Sequence, residues 1–164
     1  MVHQLSKLVS TPDVLKVSER VGAFIIRKNH SHQYELLLFR HPTSQEAPLQ
    51  IPGGGLESGE SFEQALYREI YEESGLVDLP ILRKLGVCER CWLDTRNLAR
   101  RHYFLLEAPA NTPDAWDHIV SGDGSDTGMR FSYFWRRPLP QFQLTGGSAS
   151  FLNAYYIPEL YDAL

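Results

Sequence analysis

No run of about eighteen apolar residues occurs in this 164-residue chain, so no helix is expected to span a membrane. The opening stretch, MVHQLSKLVSTPDVLKV, lacks the continuous apolar segment of a secretory leader. Two cysteines are too few for a disulfide framework. They form a CxxC at Cys88 and Cys91, but a tetrahedral zinc site needs two more ligands. Their odd spacing in a strand also turns the side chains to opposite faces. Basic charge is scarce: 16 Lys and Arg stand against 20 Asp and Glu, a net charge of −4. Non-specific attraction to nucleic acid is therefore not expected, although RKLGVCER and RNLARRH are local basic clusters. There is no internal repeat and no low-complexity tract. A cytoplasmic location is the expectation left by these absences.

What is present is a globular composition, 43% hydrophobic and 22% charged, of a size that suits one domain over 1–164. Residues 1–18 read as a polar lead-in. RVGAFIIR (20–27) and YELLLFR (34–40) read as two strands of a hairpin. The proline- and glycine-rich stretch that follows reads as a loop. Ser61 with Gln64 forms a capping-box signal, and Gly75 is a stop signal, so a helix is predicted over about 62–74. Residues 81–92, 100–108 and 129–136 read as strands. The stretch 111–128 reads as a long loop with a short strand near Ile119. A terminal helix is expected over 148–164, interrupted near Pro158. The fold class expected is α/β, a mixed sheet with helices on both faces.

The predicted helix ends in Glu69, Glu72 and Glu73, just before Gly75. At about 100° per residue they share roughly a third of the circumference, continuing an arc begun by Phe62, Ala65 and Leu66. Arg68 projects to the other side. Like charges one turn apart cost about 0.2–0.5 kcal/mol. Glutamates in the last turn oppose the helix dipole at about 0.3–1 kcal/mol each. Partial burial would cost more. A divalent cation removes all three penalties, and carboxylates with a nearby carbonyl are hard ligands suited to Mg2+, with Mn2+ as an alternative.

Gly54, five residues, Glu60, seven residues and then REIYEESGL (68–76) fill every fixed position of the Nudix box. The chain thus resembles the Nudix hydrolases. The resemblance implies an α/β/α sandwich and metal-dependent hydrolysis of a diphosphate bond in a nucleoside diphosphate linked to another group, by attack of metal-activated water. It implies Glu72 and Glu73 as the main metal ligands and Glu69 as ligand or general base. Arg68 would orient the catalytic glutamate, Glu60 would support the metal shell, and a Gly53–Gly54 carbonyl would complete it. The partner expected is a small nucleoside diphosphate derivative, with a homodimer also compatible. A Nudix-like module that senses a nucleotide without cleaving it is the alternative. An isoprenoid-diphosphate isomerase is a further one, but its cysteine–glutamate arrangement cannot be placed.

Substrate choice is expected to fall to Arg40 at a strand end, to Trp92 as a stacking face, and to His118, Asp123 and Asp126 in WDHIVSGDGSDTG (116–128). No proline or tyrosine marker of the ADP-ribose or dinucleoside polyphosphate branches stands near Cys91–Trp92. Asp123→Asn or His118→Ala is expected to lower turnover more than melting temperature, measured side by side; equal loss of both would make the loop structural.

Overall fold

The computed structural model describes residues 16–43, 47–92, 96–140, 143–144 and 146–162, without the side chains of Cys91 and Trp92. Residues 1–15 of the expected lead-in and the Trp92 stacking face lie outside it. The strands are β1 (Lys16–Lys28), β2 (Tyr34–Arg40), β3 (Gly53–Gly55), β4 (Ile81–Trp92), β5 (Asn97–Glu107), β6 (Ala115–Ile119) and β7 (Arg130–Arg136). One α-helix, α1 (Phe62–Ser74), and two 3-10 segments, Gly146–Phe151 and Pro158–Leu160, complete the described elements. No described helix is long and apolar enough to cross a membrane.

The strands form one mixed sheet in the order β4-β5-β1-β2-β7-β6, with β3 also on β1. β1 and β5 run parallel; the other pairs are antiparallel. One edge of β1 carries β5 along most of its length. The other edge is divided, with β3 against Arg20–Gly22 and β2 against Ile26–Lys28. That division seats the glycine strand in the fork between β1 and β2.

β1 and β2 read as nearly unbroken apolar runs because both of their faces are covered. Val21, Ala23, Ile25, Leu37 and Phe39 pack with Ala65, Leu66 and Ile70 of α1. The alternate residues Phe24, Ile26, Leu36 and Leu38 pack with Phe151, Ile157 and Leu160. The helix itself starts as its signals predict: Gln64 N–H donates to Ser61 Oγ at 3.1 Å, and Ser61 N–H to Gln64 Oε1 at 2.9 Å. It ends at Gly75, whose φ of 80° is the left-handed conformation.

Three expectations need correction. β1 begins at Lys16, inside the supposed lead-in. The glycine stretch is not all loop, because Gly53–Gly55 is a strand. The terminal helix over 148–164 is instead two 3-10 segments. Between them, Asn153 Oδ1 accepts the N–H groups of Tyr155 and Tyr156, the competition that Asn offers a helix, and Pro158 has no N–H to continue one. The layer on that face is consequently thin.

Ile157, fully buried, anchors this thin layer. Ile157→Ala is expected to cost about 2–5 kcal/mol in urea unfolding; a cost under about 1 kcal/mol would mean that the segment is no part of the core.

Candidate active site

The carboxylates of α1 and the backbone of β3 meet at close range. Gly53 N–H donates to Glu73 Oε2 at 3.1 Å. A Cβ on Gly54 would overlap the Glu69 carboxylate, so glycine is required there for the approach. Gly122, with φ of 95°, lets the loop after β6 lie as close to the Glu72 carboxylate. Between these surfaces lies an open pocket of about 290 Å³. Arg20, Gly53–Gly55, Glu57, Arg68, Glu69, Glu72, Glu73 and the 120–127 loop, including Asp123 and Asp126, line it.

Arg68 ties the acids together. It forks onto Glu60, with Nε donating to Oε2 at 2.7 Å and Nη2 to Oε1 at 2.9 Å. Nη1 donates to Glu69 Oε1 at 3.0 Å and to Glu72 Oε2 at 3.2 Å, and Nη2 to the Gly55 carbonyl at 2.9 Å. The wheel projection placed Arg68 away from the glutamates; its long stem brings the charge back round to them. The fork on Glu60 raises the Arg68 pKa and holds Glu60 below the usual carboxylate range. Glu60 is thus engaged with Arg68.

Glu73 forms no ion pair among the described residues, although Arg20 lies near enough to attract it. It is 5% exposed, and burial, with the charges of Glu69 and Asp126 adding, pushes its pKa up to about 9 against the opposing Gly53 hydrogen bond. Burial also raises Glu69, although Arg68 pulls it down.

The end of α1 is prepared for these charges. The Tyr71 carbonyl accepts from Gly75 N–H at 2.9 Å. The Glu72 carbonyl accepts from His118 Nε2 and from Ser121 N–H, both at 3.0 Å. The Glu73 carbonyl accepts from the Tyr133 hydroxyl and the Ser74 carbonyl from Trp116 Nε1, each at 2.9 Å. Donors from β6, β7 and their loop therefore blunt the negative pole of the helix where the glutamates cluster.

The structure brings together Glu69, Glu72, Glu73, Arg68, Glu60 and Gly54 from the box, and Asp123 and Asp126 from the distal loop. It does not bring His118 or Arg40 into the pocket. His118 lies under the helix end, where a carbonyl fixes its proton on Nε2. Arg40 sits 4.6 Å over the Phe134 ring, and its neighbour Phe39 faces α1, so period two turns Arg40 to the opposite face. Sequence reasoning missed Arg20, whose one signal is a charge at the head of an apolar strand. It also missed Gly122 and the helix-capping pair Trp116 and Tyr133.

Among the described residues, no three His, Cys, Asp or Glu side chains converge as a ready cation cage, because Arg68 occupies the centre. The donor set is nonetheless all oxygen and partly buried, with Arg20 and Arg68 as its lining cations, and β3 offers carbonyls beside it. These residues fit a hard divalent cation.

A raised Glu73 pKa makes the metal-free protein most stable when Glu73 is protonated. That stability is complete below about pH 4.5 and is lost as pH rises through about 9. In chelator, the wild-type melting temperature should fall from pH 5 to pH 9, and Glu73→Gln should flatten the fall and melt higher at pH 9. Parallel melting profiles would contradict this.

The NUDIX domain family model matches residues 18–124, a stretch that contains the whole box. The RNA pyrophosphohydrolase of Cellvibrio japonicus is 47% identical over 68 residues, 40% of this chain and 37% of that one. A putative 8-oxo-dGTP diphosphatase of Bacillus subtilis is 41% identical over 70 residues, 42% of this chain and 43% of that one. The chain thus spans less than half the length of these two curated relatives. The solution structure of the E. coli ORF135 protein superposes with a TM-score of 0.54 at 22% identity, covering 90% of this chain and 88% of that one, a likeness of fold. Matched over well over half its length, the chain belongs to the NUDIX family.

Proposed function

We propose that the chain is a NUDIX pyrophosphohydrolase that cleaves a phosphoanhydride bond in a small nucleoside diphosphate derivative, with Mg2+ as its cofactor and Mn2+ able to replace it. The observation that carries this reading is the cluster of Glu69, Glu72 and Glu73 against the glycine strand, in which Arg68 meets the first two and Glu73 lies buried without an ion pair among the described residues. NUDIX hydrolases generally use divalent ions, and relatives with pyrophosphohydrolase and diphosphatase names support the bond type.

Glu69, Glu72, Glu73 and the Gly54 carbonyl would hold the cation. When bound, the cation neutralises phosphate oxygens and lowers the pKa of water. The chain's own groups do the rest. Arg68 holds Glu69 and Glu72 by hydrogen bonds on the pocket side, while Glu60 and the Gly55 carbonyl fix Arg68. Glu69 is assigned the proton of the attacking water: burial raises its affinity for a proton, against the opposing contact with Arg68. Asp123 and Asp126 close the pocket from the 120–127 loop and contact the substrate or its cation.

Glu73→Gln is expected to lower kcat at least about 100-fold on a panel of nucleoside diphosphate derivatives with Mg2+, with the fold intact by circular dichroism. Full activity in the variant would contradict the assignment. Wild-type binding without turnover across the panel would instead make the domain a nucleotide sensor.

A further inference from the structure

Arg20 and Arg101 face each other directly in the parallel β1–β5 ladder. Period two puts both on the face opposite α1. There the position of a Cβ on Gly22 lies 3.4 Å from Arg101 Cδ and 2.6 Å from the Tyr103 ring. Tyr103 belongs to the core of that second face. Yet Arg20 also lines the carboxylate pocket, because its partner across the β1–β3 ladder, Gly55, has no side chain to stand in the way.

The pair is costly as it stands. Like charges directly across a ladder repel; burial, with Arg101 adding, disfavours the charge of Arg20, and Glu69, Glu73 and Asp126 offset part of this. The Arg20 Nε is buried with no hydrogen-bond partner among the described residues. Arg27 has a buried Nε of the same kind, but its guanidinium is committed to Asp114, the Thr112 carbonyl and the Trp135 face. Arg68, the other guanidinium on the pocket, is committed to acids. Arg20 is turned toward the pocket, where Glu69, Glu73 and Asp126 attract it, but its Nε donates to no described residue. An anion between the two arginines would relieve both the repulsion and the unmet donor.

We propose that Arg20 and Arg101 clamp the part of a phosphate chain that runs past the carboxylate pocket, across the glycine strand to the second face. The substrate class is then a small nucleotide with three or more phosphates in a row, rather than a nucleoside diphosphate sugar. This rests on the hydrolase reading for where the cleaved diphosphate sits, but the clamp itself binds without turnover.

The test is calorimetric binding of inorganic tripolyphosphate and pyrophosphate, with Mg2+, to wild type, Arg20→Gln, Arg20→Lys and Arg101→Gln. Wild type should prefer tripolyphosphate by at least about tenfold. Each Gln variant should lose about tenfold for tripolyphosphate and under about threefold for pyrophosphate. Arg20→Lys should recover part of the loss. No wild-type preference, or equal losses on both anions, overturns the clamp. If Arg20→Gln does not fold, Arg101→Gln decides, since Arg101 does not line the carboxylate pocket. A chain that keeps the preference but hydrolyses nothing overturns the hydrolase reading alone; one that hydrolyses without the preference overturns the clamp alone.

Discussion

Arg68 donates to Glu60, Glu69, Glu72 and the Gly55 carbonyl, and so one guanidinium joins the loop before the helix, the helix and the glycine strand. Without it, three acids would face each other in a half-buried pocket. With it, most of their charge is met and Glu73 alone is left deeply buried beyond its reach. The rest of the local structure serves this arrangement. β1 forks its edge to seat β3, glycines at 54 and 122 allow backbone against carboxylate, and β6 and β7 send donors to the last carbonyls of the helix.

Those donors change the meaning of a helix that ends in glutamates. In an isolated helix the free carbonyls and the carboxylates would repel. Here Trp116, His118, Ser121 and Tyr133 each meet a carbonyl, so the repulsion that remains lies among the carboxylates, on the pocket side. The destabilisation is confined to the place where a cation would relieve it, a common pattern in functional sites.

Much of this was legible in the sequence. Apolar runs gave β1 and β2 because both faces are buried, and Ser61, Gln64 and Gly75 gave the helix ends because capping is local chemistry. The box residues were legible at fixed spacing along one helix and its lead-in. What stayed hidden depends on contacts between distant segments. Gly53–Gly55 is a strand only because β1 has a free edge for it. The terminal segment is 3-10 because Asn153 takes N–H groups a helix would need. His118 looked like a substrate contact, but its partner, the Glu72 carbonyl, lies 46 residues away along the chain. Arg20 and Arg101 are 81 residues apart in sequence, and their pairing appears only in the ladder.

We propose that the α1 carboxylates seat a divalent cation for which no cage is preformed among the described residues, rather than forming a solvated acidic face. Mn2+ titration followed by electron paramagnetic resonance tests it most directly. Bound Mn2+ is expected in the wild type, displaced by Mg2+, with binding weakened at least about tenfold in Glu72→Gln. No bound Mn2+, or equal binding in that variant, would contradict it.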